Sequence, residues 1–197
     1  ILRCLVGSEM CIRDSTECVG HISPDGHTIN ACLKQFFFFA QLVSIYPQRL
    51  ENGDRMITKA QIEEVWNKNE QAQALIIRTL PNDPWKLQTN YSGANPPYVH
   101  HSAIDFMVEQ NIKHLLLDLP SVDREQDDGK LLAHKAFWQY PSENVRLDST
   151  ITELIYVPNE VKDGFYFLNL QIASFELDAS PSTVSYTHLT LPTNGCV

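Results

Sequence analysis

Short apolar runs alternate with amphipathic or turn-forming stretches along this chain, and that alternation most restricts what it can fold into. Residues 36–46 (FFFFAQLVSIY) form an apolar run rich in aromatic and β-branched residues, which favours a buried strand over a helix. Residues 73–79 (QALIIRT) and 113–119 (KHLLLDL) are shorter runs of the same kind and read as core strands. Between them the pattern changes. Thr58 with Gln61 three residues on has the form of a capping box and predicts a helix over 59–68. Residues 100–110 carry Ile104, Met107 and Val108 on one face and predict a second helix. A short helix over 130–138 carries His134, and residues 151–157 and 165–175 read as closing strands. Strand–helix alternation predicts an α/β fold. The last two strands have no helix between them, so the sheet is mixed.

The rest reads as turn and loop. A helical turn is expected at 29–35, a turn at 51–54 (ENGD), and loop over 16–27 with Gly20, Pro24 and Gly26. Residues 81–97 are polar and rich in Pro, Asn and Gly, a long surface loop of the kind that often carries function. The acidic stretch 123–129 reads as a solvated loop.

The net charge of -9 argues against nucleic-acid or anionic-membrane partners, because phosphate binding needs a basic surface. No apolar run approaches the roughly 20 residues that span a bilayer. No signal-peptide pattern precedes the domain. The five cysteines (Cys4, Cys11, Cys18, Cys32, Cys196) are odd in number and irregularly spaced, which predicts reduced thiols in a cytoplasmic protein.

Both ends differ in character from the middle. Residues 4–15 (CLVGSEMCIRDS) and 184–193 (VSYTHLTLPT) resemble translated sequencing-adaptor or vector sequence. Residues 1–15 and 184–197 are therefore expected to be non-native, flanking one N-terminally truncated domain over 16–183.

Within the domain, few residues stand out chemically. Glu17 and His21 are four apart on a glycine-containing loop and can point at one centre, although such a pair is commonly solvated surface. His134 sits among apolar neighbours, as a core histidine with a satisfied hydrogen bond does. Glu153 is a carboxylate inside an apolar strand and needs a cation or a metal to be buried there without penalty. Imidazole and carboxylate donors together suit zinc or manganese. Phe36–Phe39 read as core strand, His100 and His101 as surface or capping residues, and Phe137 and Trp138 as core.

Five ordered blocks resemble one family. Thr16-Glu17-Cys-Val-Gly-His21 looks like the second half of a His-x-x-x-His-x-Asp-x-x-x-His loop. Asp118-Leu-Pro-Ser-Val-Asp123 resembles a D-x-P-S-x-D block, and Leu-Leu-Ala-His134 an L-x-A-H block. Glu153 matches a later glutamate, and residues 173–182 (ASFELDASPS) resemble a terminal strand with its D-A-S-P turn. Together these resemble the kynurenine formamidase (cyclase) family of metal-dependent amide hydrolases.

The resemblance implies a swivelling β/β/α domain, a mixed and partly barrel-like sheet with flanking helices, in homodimers or higher homo-oligomers. It implies metal ligands at Glu17, His134 and Glu153, with Glu143 and Glu160 as the other carboxylates that could take the last role. It implies His21 as the general acid and base, and zinc, or manganese, as the cofactor. The implied reaction is hydrolysis of N-formyl-L-kynurenine to kynurenine and formate in tryptophan catabolism. The alternatives are another cyclic amide such as isatin, or a non-catalytic relative that binds a small molecule or partner. The sequence departs from the motif in three places. Glu17 stands where it has Asp, and Cys11 and Ser15 stand where it has its two earlier histidines. With those two ligands missing, little or no activity is expected of the chain as it stands.

Overall fold

The computed structural model describes residues 14–188. Its strands are β1 (Ser15–Glu17), β2 (Phe37–Ile45), β3 (Gln48–Arg49), β4 (Arg55–Ile57), β5 (Ala74–Thr79), β6 (Tyr98–Val99), β7 (His114–Leu117), β8 (Thr150–Glu153), β9 (Gly164–Ile172) and β10 (Ala179–His188). Its α-helices are α1 (Ile29–Cys32), α2 (Lys59–Val65), α3 (His101–Glu109) and α4 (Leu132–Trp138). Seven strands close into a barrel in the order β1-β10-β9-β2-β5-β7-β8, with β8 returning to β1. Strands β2, β5, β7 and β8 run parallel, while β9, β10 and β1 pair antiparallel. Strands β3, β4 and β6 form a small separate sheet.

Period-two alternation sorts the core into two layers. Phe38, Ala40 and Leu42 of β2, Ala74 and Ile76 of β5, Leu116 of β7, and Tyr166, Leu168 and Leu170 of β9 form one cluster, the barrel interior. The alternate residues Val43, Ile45, Leu75, Ile77, Leu115, Leu117 and Ile151 face outward, under α2, α3 and α4. The parallel strands are buried on both faces, so they read as unbroken apolar runs. Strand β9 lacks a helical cover, and Phe167 and Phe37 stack on its outer side at 5.6 Å with Phe37 exposed. Of the phenylalanine run, then, Phe38 is buried in the barrel and Phe36 packs, half-buried, against the same cluster.

Polar groups close the barrel where apolar ones run out. At one end the Arg78 guanidinium donates to the carbonyls of Pro158 and Val161, to Ser44 Oγ and to Asp163. At the other, His114 meets Thr150 Oγ1 at 2.9 Å and stacks against Phe38.

Several elements differ from the sequence expectation, each through a contact distant in sequence. Thr16 and Glu17, expected in a loop, form a strand with Ser15. Three polar residues carry no alternation signal, and β1 exists because β10 and β8 pair with it on both sides. Helix α2 does form behind the Thr58–Gln61 capping box, but it stops at Val65. There the buried Gln41 accepts from Asn67 N–H and donates to the Val65 carbonyl, taking up the end groups of the helix. Strand β8 ends at Glu153, not at 157, and β9 at Ile172, not at 175. The final strand, β10, runs to His188 along β9.

The acidic loop at 123–129 is largely exposed, as expected, apart from the buried Asp123, and it is also tethered. Glu125 accepts from the backbone of Gly93 and Asn95, and Arg124 pairs with Asp54 at 2.9 Å, so this loop pins the long 81–97 loop. None of the described helices is long and apolar enough to cross a membrane.

Thr16 and Thr152 share a buried hydrogen bond of 2.9 Å between β1 and β8. Thr16→Val strands the Thr152 hydroxyl and is expected to lower stability by about 1–3 kcal/mol in denaturant unfolding, while adding Thr152→Val returns most of that loss. Equal losses that add in the double variant would contradict this account of barrel closure.

Candidate metal centre

The outer face of β1 and β8 assembles the cluster. Ser15 faces Glu153 and Glu17 faces Ile151 across the antiparallel pair. Because side chains alternate, these four residues share a face, and Ile151 shows which one, since it belongs to the layer under the helices. Glu17 and Glu153 are therefore diagonal neighbours on the helix-covered side. Helix α4 lies over this face and brings His134, whose Nε2 is 3.0 Å from Glu17 Oε1.

Asp123 sets both the start of α4 and the orientation of His134. Its carboxylate accepts the backbone N–H groups of Ala133 (2.8 Å) and His134 (3.2 Å), capping the helix from ten residues upstream. The local N-cap position, Leu131, has left-handed backbone and no side-chain cap. The same carboxylate meets His134 Nδ1 at 2.6 Å. A carboxylate on the remote nitrogen fixes the ring and directs Nε2 at Glu17, as the outer partners of metal-ligating histidines do. The sequence marked Asp123 only as part of a recognised block; nothing local told that it would reach a helix end and a histidine at once.

His21 arrives on a 3-10 turn, Val19–His21, directly after β1. Its Nδ1 lies 3.1 Å from Asp178 Oδ2 and 3.4 Å from Glu17 Oε2. The turn requires Gly20, because a Cβ there would meet the His27 carbonyl oxygen at 2.0 Å and Asp178 Cβ at 3.2 Å. Glu17 and His134 are buried while the His21 side chain is 43% exposed, so the cluster opens to solvent at His21.

Ligand atoms of Glu17, His21 and His134 all lie within 4.8 Å of one another, a spacing that one metal ion could bridge. Two imidazoles and a carboxylate are a donor set suited to zinc or manganese. Glu153 is beside this group but outside the three-residue set. One of its carboxylate oxygens is served by the Val122 backbone N–H, and Oε1 is buried with no hydrogen-bond partner. An enclosed carboxylate oxygen without a donor is costly, and a cation between it and Glu17 removes that penalty, so the residues present fit a divalent metal. Glu143 and Glu160 are exposed. Cys11 lies outside the described residues.

Other candidates take the roles their surroundings assign. His100 caps α3 by accepting from Ser102 N–H, and His101 is exposed. Phe137 and Trp138 are fully buried, with Trp138 Nε1 donating to the Ser149 carbonyl and the indole 5.6 Å from His134. Cys18 and Cys32 are buried free thiols.

Electrostatics bind the cluster together. Burial opposes charge on His134, but its contacts with Asp123 and Glu17 outweigh it and raise the imidazole pKa to about 10. Burial, reinforced by the charge of Glu17, raises Glu153 well above the usual carboxylate range. Asp123 is lowered despite its burial, by the hydrogen bonds from His134 and Ala133. The site thus retains protons that a cation would displace.

Comparison with known proteins adds the following. The Cyclase family model matches residues 15–124, a span that includes Glu17, His21 and Asp123 but not His134 or Glu153. No curated protein sequence matches the chain at a significant level. Among solved structures, a potential metal-dependent hydrolase with cyclase activity aligns over 89% of this chain and 79% of its own, at 16% identity and a TM-score of 0.63. A predicted metal-dependent hydrolase from Bacillus stearothermophilus aligns over 89% and 77%, at 17% identity and a TM-score of 0.58. Isatin hydrolase A from Ralstonia solanacearum aligns over 87% and 69%, at 13% identity and a TM-score of 0.60. At these identities the likeness is one of fold.

The protonated cluster makes stability depend on pH in a defined direction. The folded pKa of His134, about 10, exceeds its ordinary 6.5, so its contribution is complete below pH 6.5 and lost as pH rises through about 10. The raised pKa of Glu153 acts with the same sign, since the fold favours its protonated form above the ordinary 4.5. The melting temperature of chelator-treated protein is expected to fall between pH 6.5 and pH 10, and less steeply in His134→Gln. A level or rising profile in the unsubstituted protein would contradict this.

Proposed function

Because the chain belongs to the Cyclase family, we propose that it is a metal-dependent hydrolase of carbon–nitrogen bonds in amides, with N-formyl-L-kynurenine as the substrate. The observation that carries this reading is the convergence of Glu17, His21 and His134, from a strand, a turn and a distant helix, within 4.8 Å. Glu17, His134 and Glu153 would hold the metal, zinc or manganese. Such a cation supplies Lewis acidity toward an amide carbonyl and lowers the pKa of a water bound to it.

The chain's own residues supply the rest. Asp123 keeps His134 aimed at Glu17, so the ligand pair is formed before anything binds. His21 is the one imidazole of the three-residue cluster with a solvent-facing side chain. Its Nδ1 is engaged by carboxylates, leaving Nε2 to accept a proton from water and return it to the departing nitrogen. One water is consumed, the C–N bond breaks, and formate and kynurenine leave.

Ser15 faces Glu153 where the motif that this segment resembles has histidine. We expect the chain as it stands to hold metal weakly and turn over slowly. Ser15→His adds an imidazole on the same face and raises metal affinity and formate release together.

Metal affinity is followed by calorimetric zinc titration. Glu17→Gln and His134→Gln are expected to abolish binding, and Asp123→Asn to weaken it by roughly 10- to 100-fold. Activity is followed as formate released from N-formylkynurenine with added zinc or manganese, with isatin as the competing cyclic amide. Zinc binding unaffected by Glu17→Gln and His134→Gln refutes this assignment, and a protein that binds no metal is the non-catalytic relative instead. Hydrolysis of isatin alone moves the substrate from the formamide to the lactam.

A further inference from the structure

His21 needs a partner on Nδ1 that does not compete with a metal, and the fold provides one. Glu17 Oε2 lies 3.4 Å from His21 Nδ1, but the other oxygen of that carboxylate is already directed at His134. At 3.4 Å the Glu17 contact is also the longer of the two that His21 Nδ1 makes with carboxylates. Asp178 Oδ2 is nearer, at 3.1 Å, and lies on the other side of the chain, just before the β10 residue Ala179 that faces Glu17.

We propose that Asp178 is a positioning residue for His21: its carboxylate accepts a hydrogen bond from Nδ1–H, fixes that tautomer, and leaves Nε2 as the nitrogen that exchanges the proton. Its catalytic consequence rests on the hydrolase reading above, while the tautomer itself does not. Residue 178 falls outside the span matched by the family, so that match gives it no role.

The backbone separates this role from mere structural clasping. The Asp178 carbonyl accepts Cys18 N–H at 3.0 Å, and the Leu177 carbonyl accepts Ile29 N–H at 2.7 Å. These two bonds hold the 18–29 turn against the segment before β10, and neither uses the Asp178 side chain. Close approach at Gly20, with Asp178 Cβ 3.2 Å from where a Cβ would sit, keeps the two segments in register. Truncating the carboxylate therefore removes the partner of His21 and spares the clasp. The neutral imidazole then has two tautomers available, of which only one presents a basic Nε2.

The test is the imidazole ¹⁵N spectrum of the chelator-treated protein, with the His21 signals assigned by their loss in His21→Gln. The unsubstituted protein is expected to hold the Nδ1–H form. In Asp178→Ala the population shifts toward Nε2–H, with the melting temperature nearly unchanged. Asp178→Asn, which keeps the shape, is expected to give a mixture and provides the same reading if the alanine variant does not fold. With N-formylkynurenine, kcat falls on the order of 10- to 100-fold in Asp178→Ala, while KM and zinc affinity change little. An unchanged His21 tautomer in both variants overturns the proposal, as does an unchanged kcat where the unsubstituted protein is active. If neither the unsubstituted protein nor Ser15→His hydrolyses either amide, the hydrolase reading fails, and the ¹⁵N result still decides the positioning claim.

Discussion

Closure of the sheet through a strand of three residues governs everything else in this structure. Strand β1 has little to recommend it locally, since Ser15, Thr16 and Glu17 are polar and make no apolar pattern. It is stable because both of its edges are occupied, by β8 on one side and β10 on the other, and because Thr16 finds Thr152 inside. Closure removes exposed sheet edges, a general hazard of open sheets. It also fixes register, and register decides face. A slip of one residue would turn Glu17 into the largely apolar barrel, away from His134, and Thr16 outward. The polar cluster on the outside and the apolar packing inside are two results of one pairing.

On that face a single carboxylate does the work that a local cap and a local orienting group would share elsewhere. Asp123 satisfies two backbone donors at the start of α4 and binds His134 Nδ1. The helix is short, and its position depends on that anchor together with the burial of Ala133, Phe137 and Trp138. Folding of α4 and alignment of His134 are thus one event. The same economy appears at His21, where the segment before β10 holds the turn through its backbone and the imidazole through its side chain. Three parts of the chain far apart in sequence meet at the cluster, and each is held by groups other than the ligands themselves.

The electrostatic state of the cluster follows from its enclosure. Glu17, Asp123 and Glu153 surround one buried imidazole, and a low-dielectric site with several carboxylates and few cations retains protons. Glu153 carries the clearest sign of this, with a buried oxygen that has no hydrogen-bond donor. A divalent cation relieves that imbalance more completely than a proton does, because it answers several carboxylates at once. Affinity for metal and affinity for protons are two expressions of the same surplus of negative charge.

The sequence by itself determined the class of fold and most of its regular elements. Apolar runs at 36–46, 73–79 and 113–119 became parallel strands, and Thr58 with Gln61 started a helix, because these signals come from periodicity and from contacts within one turn. It also supplied Glu17, His21 and His134 through the likeness of ordered blocks to a known family, and the structure brings them together. Only the tertiary structure decided what depends on partners distant in sequence. It made a strand of residues 15–17, ended α2 at the reach of Gln41, and extended β10 to His188 along β9. It also gave Asp123 and Asp178 their histidines, across separations of 11 and 157 residues. An aspartate in a loop has the same local pattern whether it faces water or an imidazole. Hydrogen bonds closed over such distances leave no periodicity behind, so they become visible only when the chain is folded.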